Sequence, residues 1–163
     1  MTDIVVRARP VGQAALSVIR KWEGCAVKIS DGQFKAYPDP ATNGEPWTIG
    51  WGSTGPDIHA GLVWTQAQCD ERLVQDAQRI GNAVQNLLGD ASTTQNQYDA
   101  LVSFAYNLGP AKLASSTLLK KHKAGDYAGT VAEFGKWINA GGRVMPGLIS
   151  RRADEAALYR ENT

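Results

Sequence analysis

The sequence predicts an α+β fold, with a small antiparallel β-hairpin lobe and a mostly helical lobe. Three observations carry this. Seven of the 17 glycines fall between Gly24 and Gly61, and four of the seven prolines (Pro38, Pro40, Pro46, Pro56) fall within 38–56. Such punctuation belongs to turns and short strands. Apolar residues recur at helical spacing on both sides of that block. The longest unbroken apolar run is four residues, Ala156 to Tyr159, too short for a membrane-spanning helix or a conventional signal peptide. With 163 residues, 43% of them apolar, the chain reads as one domain over 1–163. About 25–60 would form the β lobe, and 11–24 and 62–163 the helical part.

The elements follow in order. Residues 1–10, with Ile4-Val5-Val6, are an arm with no assigned docking. Ala15, Leu16, Val18, Ile19 and Trp22 share a helical face, and Gly24 stops it, so a helix is expected over 11–23. Asp31-Gly32 separates Val27–Ile29 from Phe34–Tyr37, and Asn43-Gly44 precedes Trp47–Trp51. Both dipeptides suit type I′ hairpin turns, whose two central residues have positive φ, so a two- or three-stranded sheet is expected. Thr65-x-x-Gln68 is a capping box ahead of the face Leu73, Ala77, Ile80, Val84 and Leu87, ended by Gly89. Ser92 to Thr94 can cap a helix with Tyr98, Leu101, Val102, Ala105 and Leu108 on one face, stopped by Gly109-Pro110. Ser115-Ser116-Thr117 opens a shorter helix to about Ala124. Asp126 caps another, with Val131, Phe134 and Ile138, ended by Gly141-Gly142. A last helix is expected from Leu148 to Glu161.

Charge is balanced at +1, so the chain lacks the surplus of a phosphate-neutralising protein and no nucleic-acid partner is expected. The balance hides an asymmetry. Residues 1–110 carry 8 basic and 11 acidic side chains, whereas 111–163 carry 9 and 5. Cys25 and Cys69 make no metal spacing and no disulfide framework. Free thiols are expected, with a single bridge open to the pair in an oxidising compartment. His59 and His122 have no Cys or paired His nearby, so a solvated or capping role is expected for both and no metal for the chain.

Glu23 ends a helix directly before Gly24 and the β lobe, where two lobes would meet and a cleft commonly forms. A carboxyl there could serve as a general acid. The β lobe offers Asp31, Asp39 and Glu45 as partners. Asp31 is accounted for as a turn residue beside Gly32, and Glu45 sits in a solvated loop. Asp39, held between Pro38 and Pro40 at a strand end, could position a water or simply close an Asx turn. Thr48 is a β-branched strand residue that needs no function to explain it.

Taken as a set, these residues resemble a known family. Trp22-Glu23-Gly24, then Ala36-Tyr37-Pro38-Asp39, then Thr48-Ile49-Gly50-Trp51-Gly52 look like the signature of the phage-type lysozymes, glycoside hydrolase family 24. Ser103-Phe104-Ala105-Tyr106-Asn107-Leu108-Gly109 resembles that family's central-helix motif, and Ser116-Thr117-Leu118-Leu119 the segment after it. Phe134, Trp137, Ala140-Gly141-Gly142, Gly147-Leu148 and Arg151-Arg152 to Glu155 resemble its C-terminal signature. The resemblance runs from near Ala15 to the end. Fifteen residues separate Glu23 from Asp39 and eight separate Asp39 from Thr48, both more than the family commonly has. The extra stretches coincide with the turns at Asp31-Gly32 and Asn43-Gly44, which reads as lengthened hairpins. Asp31 has nearly the shorter spacing, but only Asp39 has the Ala-Tyr-x-Asp context. Ser53 stands where His is frequent.

The resemblance implies a lysozyme-like fold and a monomeric muramidase, an endolysin cutting the β-1,4 bond between N-acetylmuramic acid and N-acetylglucosamine in peptidoglycan. It implies Glu23 as general acid, Asp39 as the residue orienting or activating water, and Thr48 as its hydrogen-bond partner, with inversion at the anomeric carbon. Tyr106, Asn107 and Thr117 would contact the glycan, and Trp51 could stack on a saccharide. Arg151 and Arg152 would brace the acidic end of the first helix or lie on a solvated face. No metal, nucleotide or other cofactor is implied. The basic C-terminal third would face an anionic wall. Without a signal-anchor segment, the expected course is accumulation in the host cytoplasm, no stable membrane insertion, and release to the wall through a holin-type pore. The rival readings are a lytic transglycosylase and a non-catalytic wall-binding module on the same fold.

Overall fold

The computed structural model describes residues 9–161. The expectation for Ile4-Val5-Val6 lies outside them. The chain divides into two compact units: Ile19–Asp76 forms one, and the remaining described residues form the other.

Helix α1 spans Gln13–Glu23. Its face of Ala15, Leu16 and Ile19 is buried, as the spacing requires. It ends where the Gly24 N–H donates to the Arg20 carbonyl at 3.2 Å.

The unit Ile19–Asp76 carries the β structure. Strands β1 (Lys28–Ser30), β2 (Gln33–Lys35) and β5 (Val63–Thr65) make one antiparallel sheet in the order β1-β2-β5. Strands β3 (Tyr37–Asp39) and β4 (Gly44–Thr48) pair as a separate hairpin. Both expected hairpins are present, but neither turn has two residues at positive φ. Gly32 alone is left-handed in the first (φ 72°), and Asn43 alone in the second (φ 54°). The second loop runs from Asp39 to Gly44, longer than a two-residue turn, so one left-handed residue suffices to close it. Strand β5 was not expected. It is three residues long, with no turn dipeptide before it, and its pairing with β2 is a long-range choice. Ala36, Ile49 and Ile58 form a small core, against which Trp47, Leu62 and Trp64 pack.

Helix α2 (Gln66–Leu88) opens on the expected capping box. The Thr65 N–H donates to Gln68 Oε1 at 2.8 Å, and the Gln68 N–H to Thr65 Oγ1 at 3.2 Å.

The other unit is helical. Helix α3 (Gln95–Leu108) is capped by Thr94 and is buried throughout 97–105, so it is the central element of this core. Gly81 lets α2 approach it: a Cβ there would meet the Tyr98 hydroxyl at 2.3 Å. Helices α4 (Pro110–Ala114), α5 (Thr117–Lys123, capped by Ser116) and α6 (Tyr127–Phe134, capped by Asp126) follow, then α7 (Pro146–Arg160). Phe104 of α3 meets Phe134 and Trp137 edge-on, at ring separations of 5.9 and 5.4 Å.

Helix α6 does not run on to Gly141-Gly142. It stops at Phe134, and β6 (Asn139–Ala140) pairs with β7 (Arg143–Val144). Gly141 and Gly142, at φ 58° and 76°, are the two-residue turn of that hairpin. A Gly-Gly pair satisfies a helix stop and a tight turn equally, and local sequence does not separate them.

Candidate active site

Glu23, Asp39, Thr48 and Trp51 all fall in the unit Ile19–Asp76, whereas Tyr106, Asn107 and Thr117 belong to the helical unit.

The β3–β4 hairpin sets the first group. Tyr37 pairs directly with Thr48, so their side chains project from the same face. Asp39 lies two residues further along β3, past a register irregularity that separates it from Tyr37, and its Cα partner is Gly44. All three are half-buried. The Ala41 N–H donates to Asp39 Oδ1 at 2.7 Å, so the Asx turn forms and holds the carboxylate rigid. Its Oδ2 takes no part in that turn. Asp31 is different: its carboxylate stands fully in solvent at the hairpin tip, 3.4 Å from Lys28 Nζ.

Glu23, at the last position of α1, reaches this neighbourhood too. The phenol of Tyr37 has its pKa raised above the usual value, first by burial and then by the negative charge of Glu23. The Glu23 carboxyl also lies over the backbone of Gly52. A Cβ added there would come within 3.0 Å of Glu23 Oε2, and Gly52 is at φ 91°, so both space and conformation call for glycine.

The loop after β4 is fixed by contacts that the sequence did not reveal. Ile49 and Ser53 exchange two backbone hydrogen bonds, each 3.0 Å, closing a three-residue loop of Gly50, Trp51 and Gly52. Three contacts seat this loop on α2. The Trp51 indole N–H donates to Asp70 Oδ1 at 2.7 Å. A Cβ on Gly50 would lie 3.1 Å from both Cβ and Sγ of Cys69. The buried Ser53 hydroxyl donates to Asp76 Oδ2 at 2.7 Å. Arg72, one turn before Asp76, donates to Asp76 Oδ1 at 3.0 Å, to Asp57 at 2.6 Å and to the Thr54 carbonyl at 3.2 Å. Its hydrogen bond to Asp57 holds that carboxyl below the usual carboxylate range. Ser53, where the resembled family often has His, is thus an anchor. The i, i+4 spacing of Arg72 and Asp76 was the signal available for it. Trp51 keeps its N–H on Asp70, so any contribution to a saccharide comes from its ring.

Val27, four residues after Glu23, is at φ 56°. A β-branched residue rarely adopts that conformation, and such strain gathers near functional sites.

In the helical unit, Tyr106 and Asn107 end α3 half-buried, and Thr117 is exposed at the start of α5. Asn107 Oδ1 accepts a hydrogen bond from the Arg152 guanidinium. Arg152 also donates to Glu155 and, at 3.0 Å, to the Trp137 carbonyl. Arg151 donates to Glu155 at 3.3 Å and to the Ser103 carbonyl at 3.1 Å. With Arg151 and Arg152 only 3% and 1% exposed, the expectation of a solvated helix face is overturned. Their pairing with a fully buried Glu155 explains why: a buried charge needs a partner. The solvated or capping role expected for His122 is overturned too. It is buried, with Nδ1 2.5 Å from the Tyr159 hydroxyl and Nε2 2.8 Å from Thr93 Oγ1. His59 is exposed, as expected.

Among the described residues no three His, Cys, Asp or Glu side chains converge as metal ligands, and no helix is long and apolar enough to cross a membrane. A cavity of about 450 Å³, lined by Tyr127, Val131 and Tyr159, touches none of the candidate catalytic residues.

Known proteins resemble this chain in sequence and in fold. A family model described as phage lysozyme matches residues 20–155. The chain is 40% identical to the endolysin of Bacillus phage PZA over 94% of its own length and 56% of that protein. It therefore spans little more than half of that relative. It is 37% identical to the endolysin of Acyrthosiphon pisum secondary endosymbiont phage 1, covering 91% of this chain and 97% of the other. Among solved structures, the muramidase domain of SpmX from Asticaccaulis excentricus aligns with a TM-score of 0.80 at 29% identity, covering 93% of this chain and 98% of that one.

Proposed function

Since the chain belongs to the phage lysozyme family, we propose that it is a muramidase of the endolysin kind, hydrolysing the β-1,4 bond between N-acetylmuramic acid and N-acetylglucosamine in peptidoglycan. The observation that best supports this is the β3–β4 hairpin with Glu23 beside it. The hairpin carries Tyr37, Asp39 and Thr48, and the charge of Glu23 reaches Tyr37.

Glu23 is the general acid. It gives its proton to the glycosidic oxygen as the bond to the anomeric carbon breaks, and positive charge develops on the ring. Asp39, with one oxygen held by the Ala41 N–H, uses the other to orient a water and take its proton as it attacks. Thr48 holds that water by a hydrogen bond. The Asx turn favours this role because a carboxylate fixed in place loses no freedom when the water is bound. Attack from the face opposite the leaving group inverts the anomeric centre, and inversion calls for the two carboxyls to lie roughly 6.5–9.5 Å apart. On the family resemblance, Trp51, Tyr106, Asn107 and Thr117 contact the glycan. The chain acts as a monomer and as one lysozyme-like domain. It accumulates in the host cytoplasm and reaches the wall through a holin-type pore; export of the isolated protein without such a pore would contradict that route.

The test is loss of turbidity by outer-membrane-permeabilised cells. The wild type is expected to clear them, and Glu23→Gln to lose about 10²–10⁴-fold in rate while folding normally, as for a missing acid catalyst. A folded Glu23→Gln with wild-type clearing would remove Glu23 from the mechanism.

A further inference from the structure

Two thiols near the candidate site have no part in the mechanism. Cys25 follows Gly24 at the end of α1 and is half-buried, and Cys69 lies fully buried in the first turn of α2. The Cys25 and Cys69 side chains are in hydrogen-bonding contact. Gly50 lies close against Cys69, since a Cβ there would come within 3.1 Å of its Cβ and Sγ. Both are free thiols in this structure.

We propose that Cys25 and Cys69 are a latent disulfide, which closes when the chain meets a disulfide-bearing oxidant and staples the unit Ile19–Asp76. The bridge would enclose residues 26–68. That span holds both sheets of the unit, Asp39, Thr48 and the loop of Gly50, Trp51 and Gly52. Cross-linking over so long a segment chiefly restricts the unfolded chain, which is where a disulfide does most of its stabilising.

The chemistry is thiol–disulfide exchange. The thiolate of Cys25, the more accessible sulfur, attacks the oxidant's disulfide, forms a mixed disulfide and expels one thiolate. The thiolate of Cys69 then attacks the Cys25 sulfur, forms the bridge and expels the second. Two electrons and two protons leave the protein, and one disulfide oxidant becomes two thiols. Burial pushes the Cys25 thiol up to about 12 and raises Cys69 as well. The reactive thiolates are therefore scarce at neutral pH, and closure should quicken as pH rises.

The experiment treats the full reduced chain with oxidised glutathione at alkaline pH. It then reads thiol titre, peptide linkage under non-reducing conditions, and Tm with and without reductant. Both thiols should disappear, a Cys25–Cys69 peptide should appear, and Tm should rise by on the order of 10 °C and fall back on reduction. Cys25→Ser should show no rise. A glutathione adduct on Cys25 without the bridge, a cross-link between two chains, or a bridged protein melting no higher than the reduced one would each overturn the proposal. None of these readouts depends on glycosidase activity.

Discussion

The choice between Asp39 and Asp31 rests on what surrounds each carboxylate. Asp39 is half-buried, tied by one oxygen to the Ala41 N–H, and on the strand whose Tyr37 pairs with Thr48. Asp31 stands in solvent with a single lysine at 3.4 Å, a pairing that surface screening makes weak. Asp39→Asn keeps the Asx turn, since an amide oxygen accepts the same hydrogen bond, but it removes the base that takes the water's proton. It should lose about 10²–10⁴-fold in turnover with Tm almost unchanged. Asp31→Asn should be near wild-type in both. The opposite order of activities, measured on purified walls, would transfer the role to Asp31.

At the scale of elements, the loop after β4 is the part whose geometry matters and whose cause was least visible. Its sequence, Thr48-Ile49-Gly50-Trp51-Gly52, could be picked out as a motif, but Ser53, Arg72 and Asp76 could not be joined to it. The partners of Ser53 and Trp51 lie on α2, 23 and 19 residues away. No local pattern encodes such a distance. Capping residues, by contrast, act within one turn of themselves, so Thr65, Thr94, Ser116 and Asp126 were all legible. Strands β5, β6 and β7 were missed because two or three residues carry no periodicity. The clamp can be tested at Ser53. Ser53→Ala deletes a buried donor and leaves Asp76 Oδ2 without it. The cost should be about 1–3 kcal/mol in denaturant unfolding. A change under 0.5 kcal/mol would mean the loop is held without it.

Across the whole molecule, the order of helices and the glycine-rich β block were readable because periodicity and turn residues are local properties. The burial of Arg151, Arg152, Glu155 and His122 was not, since polar residues advertise exposure until their partners are known. His122 makes the stability pH-dependent. Burial lowers its pKa below the ordinary 6.5. Below that pH the unfolded chain takes up a proton that the folded chain refuses. The contribution is therefore complete above 6.5 and is lost as pH falls towards the folded value. In NMR, the His122 ring should titrate below 6.5, and a midpoint at or above it would refute the burial argument. The central claim concerns the activity of the whole chain, and the products decide it. Mass spectrometry of fragments released from purified peptidoglycan should show hydrated N-acetylmuramic acid reducing ends with the wild type and almost none with Glu23→Gln. Anhydro-muramic ends, or no release at all by a folded wild type, would contradict it.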